Sequence, residues 1–362
     1  MEVMFGMKIK KSLICLQIFF LISLISCQNE SRKSVLLNVE HDSIMDVARD
    51  SLYGKSYIEI LNMLEGKVAS SFKRAVFLLE WSYLKGNLDY ENYCFEIKTS
   101  ANLLRKFVNE KGISNYKTAG NFALFEFFTR PHQMNGYKPF FYDFEDFMGS
   151  EDYTKQFVTK LMRTHGGQCR SLPMFYKILA DEIGTEAFLA QAPNHLYVKH
   201  LGEDKRWVNV ELTNGHLVSD AYIVSSMAIS AEAIRNRVYM DAMSEQESLA
   251  FLLYELSLGY EKKYGLDSFA LLCCDESLKF YPHNLPALMQ KYNALRMIAL
   301  EYMDKHGKKP NDFLKNNQKA FLETKEKIEM LGYREMPKEQ YLKWLQEMET
   351  EKKKQSKKYL SE

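Results

Sequence analysis

Residues 166–213 read GGQCRSLPMFYKILADEIGTEAFLAQAPNHLYVKHLGEDKRWVNVELT. Leu172, Phe175, Tyr176 and Leu179 recur at three- and four-residue spacing, which predicts a helix from about Arg170 to Ile183. Pro173 is tolerated because it lies in the first turn, and Gly184 closes the helix. EAFLAQA then reads as a strand, Pro193-Asn194 as a short turn, and HLYVKH and RWVNVEL as two strands of a hairpin around Gly202 to Lys205. Cys169 therefore stands ahead of a helix, His195 opens a strand, and Asn209 and Glu211 lie on the next one. A thiol, an imidazole and a carboxylate or amide in that order are a nucleophile, a base and an orienting group.

Each part has a physical reason. A thiol is mostly protonated at neutral pH, and the positive end of a helix dipole at Cys169 favours the thiolate that attacks a carbonyl. His195 would take the proton and return it to a leaving amine. Glu211 or Asn209 would accept from the second ring nitrogen and fix the tautomer. The backbone N–H of Cys169 points toward an oxyanion formed there, and Gln168 would add a donor. Side chains alternate along strands, so His195, Tyr197 and Lys199 share one face, as do Trp207, Asn209 and Glu211. The two sets meet only if the hairpin loop has an odd number of residues, bulged, and the expected register sets His195 opposite Glu211 and Tyr197 opposite Asn209. An even loop would turn Glu211 away.

The pieces GGQCRSLPMFYKILADEIG, APNHLYVKH and WVNVEL resemble the transglutaminase-like cysteine superfamily, which shares its core with papain-type proteases. The resemblance covers roughly residues 130–290 and implies catalytic roles for Cys169, His195 and Glu211, the last a glutamate where the superfamily has aspartate. The extra methylene makes Asn209 a competitor. It also implies an α+β fold: a cysteine helix packed on a small antiparallel sheet, with helical flanks and tetratricopeptide-like C-terminal helices. The function it implies is acyl transfer or hydrolysis of amide bonds in a peptide or protein through a Cys169 thioester. The alternative is a catalytically inert envelope scaffold that binds a protein or peptide through the core and the helical repeats. A lone cysteine is usually a small buried hydrophobe and a lone histidine a structural one. His195 and His200 point to opposite faces of a strand, so with His216 they make a poor metal site. No metal or cofactor is expected.

Outward from this unit, amphipathic helical patterns fill 41–130, and 131–150 is an aromatic, irregular loop. That loop either lays Phe140, Phe141, Tyr142 and Phe144 on the core or walls the substrate site. A helix from Tyr153 to Arg163 ends before His165-Gly166-Gly167, whose glycines allow positive φ. The core unit extends over 131–243, with a short helix near 231–237. Paired helices over 244–348 follow, with turns at Gly265 and Pro282, and their pattern resembles a tetratricopeptide repeat. A charged tail occupies 349–362.

The first 27 residues are a targeting segment: Lys8, Lys10 and Lys11 precede an apolar run from Leu13 to Ser26 that is short for a membrane span. Leu24-Ile25-Ser26-Cys27 resembles the lipobox of bacterial lipoproteins, which implies a lipidated Cys27, a tether at 28–40 and a place in the cell envelope. Gln28 in place of aspartate favours the outer membrane. A net charge of +1 gives no reason to expect nucleic acid. Once Cys27 is acylated, Cys94, Cys169, Cys273 and Cys274 remain as thiols, too few for a disulfide framework in so long a chain.

Overall fold

The computed structural model describes residues 51–334 throughout and a helical stretch between 339 and 354 in part. The signal segment, Cys27 and the tether lie outside the described residues, as does the end of the charged tail. Helices and small sheets combine into an α+β architecture.

Four helices form the N-terminal flank: α1 (Leu52–Leu64), α2 (Phe72–Tyr83), α3 (Tyr90–Glu110) and α4 (Ala119–Thr129). The first three start where an N-cap side chain, Ser51, Ser71 or Asp89, accepts a backbone N–H of the first turn. Along α3, Tyr93, Ile97, Ala101, Leu104 and Phe107 form one buried face. The stretch from Ser114 to Thr118 lies outside α4, as turns.

The aromatic segment is less irregular than expected. Phe141–Tyr142 forms a short strand, β1, paired in parallel with β2 (Gly166–Gly167). Tyr142 is buried, and Phe140, Phe144 and Phe147 pack against the same core. The helix expected from Tyr153 is a 3-10 turn, Tyr153–Gln156, followed by α5 (Val158–Thr164). Glu80 on α2 explains the break: its carboxylate accepts the backbone N–H groups of Val158 (2.6 Å) and Thr159 (3.0 Å), starting a fresh helix there. The left-handed residue that ends α5 is His165 (φ 59°), not a glycine. Gly166 and Gly167 are needed for close approach. A Cβ on Gly167 would stand 2.7 Å from Leu161 Cδ1, and one on Gly166 2.8 Å from the Phe141 ring.

Next comes α6 (Ser171–Ile183), closed by Gly184 with φ 73°. Strands β3 (Phe188–Ala192), β4 (His195–Leu201), β5 (Trp207–Glu211) and β6 (His216–Val218) form an antiparallel sheet in chain order. One face, with Leu189, Leu196, Val198 and Val210, joins the large core that includes the buried side of α6. The other, with Ala190, Ala192 and Tyr197, packs on residues around α7 (Asp220–Met227), α8 (Ala231–Arg235) and α11 (Leu285–His306). The helix pairs are α9 (Glu245–Tyr264) with α10 (Ser268–Phe280), and α11 with α12 (Asp312–Met330). Because α9 packs on α1 and α2, one hydrophobic cluster runs from Tyr53 to Ala287, so the flank and the first C-terminal pair share a core.

Candidate active site

The place of Cys169 comes from two local constraints. The parallel pair β1–β2 delivers the chain to Gln168, and the Gln168 carbonyl accepts from Leu172 N–H at 3.1 Å, starting the helical ladder. Cys169 thus occupies the first turn leading into α6, where backbone N–H groups have no intrahelical acceptor. Its thiol is half-buried, and Sγ lies 3.9 Å from the Asn194 carbonyl oxygen.

Asn194 belongs to the two-residue connection Pro193-Asn194 that joins Ala192 to His195 in register. Its left-handed conformation (φ 54°) is one asparagine tolerates well, and it lets the strand reverse at once. His195 is therefore the first residue of β4, at the end of the sheet where α6 begins. Its Nε2 is 2.6 Å from Glu211 Oε2, and the Cys169 sulfur is near enough to the ring to favour its charged form. With Nε2 taken by Glu211, Nδ1 is the nitrogen left for the thiol.

The hairpin that brings Glu211 here has the expected odd loop but a different register. Gly202 N–H donates to Arg206 O at 2.8 Å and Lys205 N–H to Gly202 O at 3.0 Å, with Lys205 left-handed at φ 62°. The loop is therefore 203–205, a bulged turn of three residues. Glu203 pins it to the start of α4 by accepting from Thr118 N–H (2.7 Å) and Oγ1 (2.8 Å). This centres the hairpin on Asp204 rather than Glu203, which shifts the pairing by two residues and keeps the face. Lys199 stands opposite Asn209, and the ladder continues with Tyr197 toward Glu211. Glu211 thus reaches His195 diagonally, a separation its extra methylene suits.

Asn209 does not join the site. Its Nδ2 donates to Val218 O at 3.1 Å and Asp220 Oδ1 at 2.7 Å, so it fastens β5 to β6 and α7. Gln168 is also committed elsewhere. It is fully buried, its backbone N–H donates to Ser171 Oγ, and its Nε2 lies 3.2–3.3 Å from the carbonyls of Asp143, Glu145 and Asp146. These bonds hold the 143–146 loop against the nucleophile's turn and leave Gln168 no donor for an oxyanion. The Cys169 N–H remains for that role.

Both members of the imidazole–carboxylate pair are shifted toward charge. Burial works against the His195 imidazolium, but the Glu211 carboxylate and the Cys169 sulfur outweigh it and raise the ring to about 10. Burial likewise opposes the Glu211 carboxylate, yet His195 and two bonds from Thr213 hold it below the usual range. Those bonds, from Thr213 N–H (3.0 Å) and Oγ1 (2.6 Å), satisfy Oε1 while His195 satisfies Oε2. The site thus favours an imidazolium paired with the Glu211 carboxylate.

Three neighbours complete the surroundings of the pair. Thr213 was legible as a hydroxyl two residues past the carboxylate, a spacing suited to a local side-chain-to-backbone turn. Tyr197 flanks the His195 ring nearly parallel, at 6.4 Å between centroids. Tyr142, brought in by a strand too short for any periodicity, has a phenol raised well above its usual value by burial and by the nearby Cys169 and Glu211 charges. Among the described residues no group of three or more His, Cys, Asp or Glu side chains is placed to hold a metal ion; His200 bonds the Leu201 carbonyl instead.

No protein-family model, curated protein or solved structure matches this chain.

Proposed function

We propose that Cys169, His195 and Glu211 form a transglutaminase-like cysteine site that transfers or hydrolyses acyl groups from amide bonds of a peptide or protein. The observation that carries this reading is the 2.6 Å bond from His195 Nε2 to Glu211, with the Cys169 sulfur 3.9 Å from the carbonyl oxygen of Asn194, the residue before His195. The Cys169 sulfur adds to the amide carbonyl carbon, and the oxygen's developing charge meets the Cys169 N–H at the helix start. The imidazolium Nδ1 then gives its proton to the amine nitrogen as the C–N bond breaks, leaving an acyl thioester and a neutral His195. Water or a second amine attacks the thioester while His195 takes the incoming proton, which restores the thiolate and the imidazolium. Glu211 keeps its charge throughout and holds the ring in place.

The membrane anchor is the second part of the proposal and rests on the sequence alone: acylation at Cys27 would tether the enzyme to a bacterial envelope membrane, with the outer membrane favoured by Gln28.

The test of the site is competitive alkylation of the folded protein by iodoacetamide from pH 5 to 9, read by peptide mass spectrometry. Cys169 is expected to react at least tenfold faster at pH 6 than Cys94, Cys273 and Cys274, and Cys169→Ala to keep its fold and lose all amide-cleaving or transfer activity. Cys273 and Cys274 are sealed in the core, which pushes the Cys274 thiol up to about 12 and that of Cys273 well above its usual value. Equal, slow labelling of all four thiols overturns the reading in favour of an inert binding scaffold.

A further inference from the structure

The acyl-transfer chemistry leaves unused a second set of buried charges beside the nucleophile. Arg170, the next residue in the chain, donates from Nη1 to Glu255 Oε2 at 2.8 Å. Glu255 lies in the middle of α9 with 4% of its side chain exposed, against 29% for Arg170. Both line a small cavity of about 30 Å³, together with Gln156, Glu80 and Tyr153. Two buried acceptors on this lining, Oε1 of Glu255 and Oε1 of Gln156, have no protein donor within reach. Buried acceptors in such a state call for a donor, and a space this size holds about one water, whose two O–H groups would serve one acceptor each. The other end of Gln156 donates to Phe147 O and to Gln168 Oε1. The residues on both sides of Cys169 are therefore tied to one cavity, and its far wall belongs to the C-terminal helices.

We propose that Glu255 is a positioning residue for Cys169, anchoring Arg170, the next residue in the chain, while one water joins Glu255 to Gln156 and Gln168. The proposal rests on Cys169 being the nucleophile. A cation beside the sulfur favours the thiolate, and the Glu255 carboxylate both fixes that cation and offsets part of its field. Near the thiol on the sheet side are His195 and Tyr142, with Glu211 behind the imidazole; around the guanidinium are Glu255, Tyr254 and Tyr153, with Glu80 on the same cavity lining. Charge and placement then act with opposite sign, which a merely structural contact would not do.

The experiment is iodoacetamide alkylation of Cys169 in the full chain from pH 5 to 9, with thermal melts to establish folding. Arg170→Met is expected to slow alkylation at pH 6 roughly tenfold, the equivalent of about one pH unit, and Arg170→Lys to recover most of it. Glu255→Gln keeps an acceptor for the guanidinium but removes the opposing charge, so it should speed alkylation several-fold at pH 6. Glu255→Ala removes the acceptor and should slow it. A crystal structure should show a water within hydrogen-bond distance of Glu255 Oε1 and Gln156 Oε1. Wild-type protein labelled fast at Cys169, with folded Arg170→Met labelled equally fast, overturns the proposal alone. Wild-type Cys169 no faster than Cys94 overturns the nucleophile reading, and the proposal with it.

Discussion

The 2.6 Å bond between His195 and Glu211 is the residue-scale fact on which the chemistry turns. With His195 raised to about 10, its contribution to stability is fully present below the ordinary histidine range and is lost as pH rises through about 10. Glu211 is shifted the other way, so its contribution is present above the ordinary carboxylate range and is lost as pH falls through its lowered value. The pair therefore stabilises the fold across the neutral range and fails at both ends. Side chains only 10% and 7% exposed leave little solvent to screen this pair. In Glu211→Gln, NMR of the ring protons should show His195 titrating at least one unit lower, because the carboxylate that favours its imidazolium is gone. A His195 titrating at an unchanged pH would contradict the assigned partner. Glu211→Ala, which leaves the ring without its carboxylate, should cost about 3–5 kcal/mol in denaturant unfolding.

At the scale of elements, the two-residue strand β2 aims Cys169. Gly167 lies against α5 and the start of α6, where an added Cβ would meet Leu161 Cδ1 at 2.7 Å, Ser171 Oγ at 2.9 Å and Leu172 Cγ at 3.1 Å. Its backbone is not left-handed, so a substitution there acts by crowding alone. Ser171 Oγ accepts the Gln168 N–H, so displacing it also disturbs the turn that carries Cys169. Gly167→Ala is expected to lower unfolding free energy by about 1–3 kcal/mol, with alkylation of Cys169 slowed as well. Unchanged urea midpoints would show that β2 and α5 separate freely.

At the scale of the molecule, the helical flank and the first C-terminal helix pair are not independent attachments. Leu249, Phe251, Leu252, Leu253 and Leu256 of α9 are buried in the cluster that also holds Tyr57, Ile60, Val76 and Phe77 of the flank. The cysteine helix shares that cluster through Leu172, Phe175 and Leu179, so the site is braced from both ends of the chain. No helix among the described residues is long and apolar enough to cross a membrane. The proposed attachment at Cys27 makes its own prediction: Cys27→Ser should leave an unprocessed or soluble protein, read by cell fractionation and intact mass. A variant still processed and still in the membrane pellet refutes lipid anchoring.

By itself the sequence determined the elements on which Cys169, His195 and Glu211 lie, because spacing and alternation are local signals. Leu172, Phe175, Tyr176 and Leu179 mark α6 through their own spacing, and alternation along HLYVKH and WVNVE puts His195 and Glu211 on one face whatever surrounds them. Parity alone demanded an odd loop, and 203–205 is one. Register was decided elsewhere, by Glu203 docking on Thr118, 85 residues away, and that contact sent Asn209 to Lys199 instead of Tyr197. Gln168, read as an oxyanion donor from its place beside Cys169, was claimed by carbonyls of the 143–146 loop. The aromatic loop left Tyr142 between core and site wall, and the Arg170–Glu255 pair had no sequence signal, since each depends on segments far apart in the chain meeting in the packed core. Short-range order is written in residue spacing, while long-range pairing is the outcome of filling one core, and only the folded chain shows which groups that leaves together.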